Sequence, residues 1–171
     1  RAIHYAIEKY KGTIPAHGFE EFAQFMFFLP TFLAGPIHRY HEFQQDLRRK
    51  RWDAFMFAQG IERILYGYVK ITFIANLLVS NLFGAWIVDV SAGNESLHAY
   101  LIMIQTFLTL YFQFSGYSDV AIGSGMLLGF KVMENFNFPF LASNISDFWR
   151  RWHISLTSWC RDYVYMGVMS T

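Results

Sequence analysis

From Ser96 to Ser118 the chain runs through LHAYLIMIQTFLTLYFQF without a single Asp, Glu, Lys or Arg. A helix crossing the hydrocarbon core of a bilayer takes roughly 20 mostly apolar residues, and this stretch meets that length. Ile71 to Val88 is a second such stretch, and its helix is expected to start near Phe55, with Glu62, Arg63 and Lys70 on a polar stripe. Phe22 to His38 is a third, interrupted by Pro30 and by the Gly35-Pro36 pair. Proline removes a helical hydrogen bond, and irregular backbone at membrane depth survives only where protein or a water-filled cavity covers it. That segment is therefore expected to be re-entrant or kinked. The fold class these stretches predict is all-α, a multi-pass transmembrane helical protein.

Composition agrees. The chain is 54% hydrophobic and only 16% charged, against about 25% charged in an ordinary soluble domain. A net charge of +1 gives no reason to expect a nucleic-acid partner. The single Cys160 permits no intrachain disulfide and is expected to be a buried, inert thiol. His38 to Asp53 reads as a polar connector, and its Arg48-Arg49-Lys50-Arg51 run as a solvated basic loop on the cytoplasmic side. Val88 to Ser96 reads as a turn. Tyr117 to Phe130 reads as a short glycine-rich segment in which Ala121, Gly125 and Gly129 recur every fourth residue, the close-packing face of a membrane helix. The chain opens on Arg1 rather than Met and stops at Thr171, so it is expected to be a single internal fragment, residues 1–171, of a longer membrane domain.

Tyr111 to Met166 packs Asp119, Asn135, Asn137, Arg150, Arg151, His153, Arg161 and Asp162 among aromatics and glycines. Such groups are costly in an apolar chain and mark a site by default. Asn135 to Leu141 is an aromatic turn closed by Pro139. Asn144, answered by Asp147, has the form of a helix cap, and the helix behind it is expected to run from Ile145 to about Tyr165. Steps of three and four then align Ser146, Trp149, Arg150, His153, Thr157 and Cys160 on one face, with Trp152, Leu156, Trp159 and Tyr163 as a neighbouring aromatic stripe. An imidazole titrates near neutral pH, and burial beside Arg150 is expected to hold His153 neutral and basic. The alternative is a packed, non-catalytic histidine.

Asp119 is either a site residue or a helix cap. Tyr117, Asn135 and Asn137 line a cavity or satisfy freed backbone groups. Arg150 and Arg161 contact donor phosphate or a carrier, or simply pair with Asp147 and Asp162. His38 and Arg39, after the Gly35-Pro36 turn, are expected to reach the polar cavity. His38 and His41 have no third ligand at metal spacing, so no metal is expected. His4, His17 and His98 read as incidental.

Four motifs carry a family resemblance: FLPTFLAGPIHRY (Phe28 to Tyr40), FSGYSDVAIG, ENFNFPF and FWRRWHISLTSWCRDYVY. Together they resemble the membrane-bound O-acyltransferase family, in the branch holding bacterial polysaccharide O-acetyltransferases and D-alanine-exporting acyltransferases. The resemblance implies a multi-pass α-helical protein of the cell membrane, with a tunnel or funnel across the bilayer. It implies acyl transfer, acetyl first, from an acyl-CoA or acyl-carrier thioester to a hydroxyl of a cell-surface polysaccharide, with no bound cofactor. Membrane lipid, the acceptor polymer and acyl-carrier or envelope proteins are the implied partners. His153 matches the first of two important family positions. Trp149, Arg150, Arg161, Asp119, Tyr117, Asn135, Asn137 and Arg39 are candidate substrate or donor contacts. The second family histidine, commonly assigned as catalytic base in a Trp-His-Gly setting on a later helix, has no match before Thr171, so the isolated fragment is expected to be inactive. The form Trp149-Arg150-Arg151-Trp152-His153 leans to acetylation, and Tyr165-Met166-Gly167 to D-alanyl transfer onto a teichoic-acid-type polymer. Broken helices and small-residue packing also fit a transporter or channel segment, or a purely structural membrane subunit.

Overall fold

The computed structural model describes residues 1–32, 34–49 and 52–166. Two long helices dominate. Helix α4 (Ala54–Val90) and helix α5 (Glu95–Leu127) are each long and apolar enough to cross a membrane. Before them come α1 (Ala2–Tyr10), α2 (Phe19–Met26), a 3₁₀ turn at Leu29–Thr31, and α3 (Tyr40–Arg49). After them come a 3₁₀ turn at Pro139–Leu141, α6 (Ile145–Arg151) and α7 (Ile154–Trp159), continued in wider π form over Cys160–Tyr165. Among the described residues there is no strand, only an isolated antiparallel bridge between Phe136 and Trp152.

Sequence dictates where the long helices start. Asp53 caps α4 by accepting from the Phe55 N–H at 2.9 Å and the Met56 N–H at 3.3 Å, and Asn94 caps α5 through the Leu97 N–H at 3.0 Å. Each cap satisfies helix-end donors that would otherwise lack partners. The turn between the helices falls at Ser91–Asn94, inside the expected connector. No break separates Ser118 from the glycine-rich segment, which is the last third of α5 rather than an element of its own. The outer faces expose Leu65, Phe73, Leu82, Trp86, Met103 and Leu110, as helices meeting lipid or further protein would.

Glycine sets how α4 and α5 meet. A Cβ on Gly60 would come within 2.9 Å of the Gly123 carbonyl oxygen, and one on Gly67 within 2.7 Å of the Gly116 carbonyl oxygen. The pairs are reciprocal and two helical turns apart on each helix, so they fix one antiparallel register. The expected stripe does something else. Ala121 meets Gly35, Gly125 meets Val132, and Gly129 ends α5 at φ +81°. Gly67→Ala or Gly123→Ala must push two backbones apart, and we expect the full-length protein to lose about 1–3 kcal/mol, read as a lower melting midpoint in detergent. Gly93→Ala is the contrasting case for space, since nothing lies within 4 Å of it, but its φ of +79° makes it a test of backbone conformation.

The third apolar stretch does not form a kinked span. Helix α2 is eight residues long and ends at Met26. Beyond it, Leu29–Thr31 form a 3₁₀ turn and the described residues 34–38 a loop that docks Gly35 on α5. The connector expected after it is helix α3, because Tyr40, Phe43 and Gln44 give it one buried face that its charges hid. Lys50 and Arg51 of the basic run lie outside the described residues. Phe25, Phe28, Tyr40 and Phe43 form an aromatic core that reaches Ile122 and Val132, tying this layer to the long helices. Cys160, expected to be buried, is exposed.

His38 is fully buried in that layer, stacked on Phe28 at 5.9 Å. Neither ring nitrogen has a hydrogen-bond partner among the described residues. Burial first, then the nearby Arg1 and His4, lowers its pKa from 6.5 to about 4. An opened layer would bind a proton there below pH 6.5 while the packed layer would not. The layer is therefore fully stable above that pH and loses stability, by about 3 kcal/mol, as pH falls toward 4. His38→Phe should flatten the acid limb of a melting-midpoint profile over that window.

Candidate functional site

Between α4, α5 and the loop after α5 lies a cavity of about 650 Å³. Arg63 and Lys70 from α4, Tyr111, Ser118 and Asp119 from α5, and Asn137 from the loop bring polar groups to it. The Asp119 side chain is only 5% exposed. Each carboxylate oxygen has its own cation: Arg63 Nε donates to Oδ1 at 2.7 Å, and Lys70 Nζ donates to Oδ2 at 2.6 Å. Arg63 also donates to Glu134 at the half-exposed rim. A buried carboxylate alone would cost several kcal/mol, and pairing with good geometry offsets that cost. Asp119 stands in the interior of α5, so the helix-cap reading is corrected. The expected polar stripe divides. Arg63 and Lys70 face Asp119, whereas Glu62 accepts a hydrogen bond from the exposed Tyr66.

Beside the cavity, the expected helix Ile145 to Tyr165 is broken. Helix α6 ends at Arg151, and His153 sits at φ 45°, ψ 54°, in the left-handed region. A non-glycine residue adopts that conformation rarely and at a cost. The break is held by pairing with the loop: Asn137 N–H donates to the Arg151 carbonyl and Ile154 N–H to the Asn135 carbonyl, both at 2.9 Å. The predicted single face through Ser146, Trp149, Arg150, His153, Thr157 and Cys160 is therefore corrected. The cap that starts α6 is as expected, with Asn144 accepting from the Asp147 N–H at 2.8 Å.

The His153 ring is half-buried and packs edge-on against Phe114, centroids 4.7 Å apart. Its nitrogens make no hydrogen bond to the described residues. Burial lowers its pKa, so it is a neutral imidazole at neutral pH. Arg150 plays no part in this: it is exposed and has no ion pair among the described residues. His153 does not line the cavity, but its neighbour Ile154 does, and Phe114 precedes the cavity residue Ser115.

The other expected residues divide by place. Asp119, Asn135 and Asn137 are brought together. Trp149 is 51% exposed and Tyr117 50% exposed, and neither lines the cavity, whose tyrosines are Tyr111 and Tyr66. Arg151 pairs with Asp147 at 3.0 Å. Arg39 and Arg161 both pair with Asp162, and Arg39 lines a separate recess with His4, Glu8 and Tyr163. There the Tyr40 N–H donates to His4 Nε2 at 3.1 Å, which puts the ring proton on Nδ1, facing the Tyr163 oxygen at 2.7 Å. The Tyr163 hydroxyl donates to Glu8 at 2.8 Å. His4, which reads as incidental in sequence, is a buried linchpin of the N-terminal layer. The helical spacing of Arg63 and Lys70 put them on one face; their counter-ion could not be read without the antiparallel register. Among the described residues no three His, Cys, Asp or Glu side chains converge as metal ligands would.

Two helices long and apolar enough to cross a membrane thus flank a charge-paired cavity, with an imidazole beside it. The chain belongs to the membrane-bound O-acyltransferase (MBOAT) family, whose profile matches residues 5–171. It is 40% identical over 169 residues to a probable alginate O-acetylase of Pseudomonas aeruginosa, covering 98% of this chain and 32% of that protein. It is 38% identical over 162 residues to a teichoic acid D-alanyltransferase of Bacillus subtilis, covering 91% and 39%. It is also 34% identical over 151 residues to a peptidoglycan O-acetyltransferase of Helicobacter pylori, covering 86% and 28%. The chain thus spans about a third of the length of these relatives.

Proposed function

We propose that the full-length protein is a multi-pass O-acyltransferase of the cell membrane that esterifies hydroxyls of a cell-surface polysaccharide. The acyl group is acetyl, drawn from an acyl-CoA or acyl-carrier thioester. The observation that carries this reading is the neutral imidazole of His153, fixed beside a polar cavity between two apolar helices, in a chain of this family. Similarity to named O-acetyltransferases of polysaccharide and peptidoglycan supports the acceptor class.

The chemistry asks for few groups. A hydroxyl is too weak an acid to ionise at neutral pH, so a base takes its proton as the oxygen attacks the thioester carbonyl. The new C–O bond forms, the C–S bond breaks, and the proton passes to the leaving thiolate. Two imidazoles serve this sequence, His153 and a histidine on a later helix of the longer protein. One accepts the proton, and the other donates a hydrogen bond to the oxyanion. The Asp119 pair holds α4 and α5 at the spacing that keeps the cavity open.

A second reading, D-alanyl transfer to a teichoic-acid-type polymer through a carrier protein, draws on the 38% identity to the Bacillus subtilis relative. Mild alkali treatment of polymer from cells with and without the full-length protein separates the two. Acetate released only in its presence is the expected product; D-alanine would establish the second reading; no difference in ester would refute both.

A further inference from the structure

We propose that Asn135 is the positioning residue for His153, holding its imidazole against the cavity rather than touching substrate; this rests on the reading of His153 as a reacting group. Asn135 backs the cavity wall but exposes none of its surface. Its side-chain oxygen is fully engaged inside the protein, and its amide nitrogen is tied to α5. Nδ2 donates to Ser118 Oγ at 3.2 Å, and Oδ1 accepts both the Ser155 hydroxyl at 2.8 Å and the Ser155 N–H at 3.3 Å. An amide oxygen has two lone pairs, so nothing is left on Oδ1 for a ligand. The backbone carbonyl of the same residue accepts from Ile154.

These bonds end on either side of one purpose. Ser118 adjoins Asp119 in α5, and Ser155 lies two residues beyond His153. One buried side chain therefore ties the left-handed break to the helix that carries the buried carboxylate. A conformation of this cost persists only where its surroundings over-determine it, and such conformations cluster at functional sites. Released from the clamp, the segment keeps only the two backbone bonds to the loop to hold φ positive at a histidine, and the ring would loosen from Phe114.

The test uses the full-length protein in cells lacking their own copy, with two readouts: alkali-labile acyl ester on the surface polysaccharide, and the rate at which diethylpyrocarbonate modifies His153, referenced to exposed His41 in the same molecules by mass spectrometry. Asn135→Ala is expected to lower ester about tenfold or more at unchanged protein abundance, since misplacement on the ångström scale costs that much. It is also expected to raise the His153/His41 labelling ratio severalfold. Asn135→Asp, which keeps the acceptor for Ser155, should retain more ester than the alanine variant. A labelling ratio equal to wild type in Asn135→Ala would overturn the proposal whatever the ester content. If that variant fails to accumulate, Ser155→Ala and Ser118→Ala decide by the same ratio: a rise supports the clamp, and no change refutes it. His153→Ala with full ester would remove the acyl-transfer reading, leaving the labelling readout to judge the clamp alone.

Discussion

Asp119→Ala is expected to destabilise the full-length protein by about 3–5 kcal/mol, because removing one partner leaves buried charge uncompensated. Two cations, Arg63 and Lys70, would face each other at the place their shared carboxylate occupied. Both cations keep 33% of their side-chain surface accessible, so the lower end of that range is the better expectation. Asp119→Asn should fall between, since the amide keeps the volume but sets an N–H₂ group against one cation. The informative variant is the triple replacement Arg63→Leu, Lys70→Met, Asp119→Leu. A buried ion network exchanged for apolar groups of similar size is often neutral or stabilising, so abundance and melting midpoint in detergent should recover. Should Asp119→Ala accumulate and melt as wild type does, the network is not what joins α4 to α5.

Much of the architecture could be read from the chain. The two long helices announce themselves by the charge-free runs within them, Ile71 to Val88 and Ser96 to Ser118, with the first start expected near Phe55. Asn144 was legible as a cap from its residue type and its spacing to Asp147. What escaped depended on partners far along the chain. Positions 145 to 165 satisfy every local rule for one helix, and the break at His153 is imposed by the antiparallel pairing of 151–154 with 135–137. Arg63 and Lys70 could be placed on a stripe, but naming Asp119 as their counter-ion required the register that Gly60, Gly67, Gly116 and Gly123 establish. The burial of His38 was hidden because the apolar face of α3, whose Phe43 packs on it, is sparse and dispersed among charges. The candidate site was thus legible as a set of residue types, with Asp119, Asn135, Asn137 and His153 singled out. Their division into a charge pair, a clamp, a wall and an imidazole was not.

His153→Ala is expected to lower polymer acylation at least about a hundredfold, the usual worth of a general base or of an oxyanion donor. Abundance should change little, since the ring is half-buried and makes no hydrogen bond to the described residues. His153→Gly sharpens the comparison. Glycine adopts positive φ without steric cost, so that variant should fold at least as well as the alanine one and be equally inactive. In isolated membranes the wild-type acid limb should lie below the ordinary histidine value, because burial lowers the pKa of this group and activity requires the neutral ring.

The most direct measurement is ester content of the surface polysaccharide in cells making equal amounts of wild-type, His153→Ala and His153→Gly full-length protein. Near-background ester in both variants is the predicted result. Wild-type ester in either one would make His153 a packing residue and put the reacting groups elsewhere.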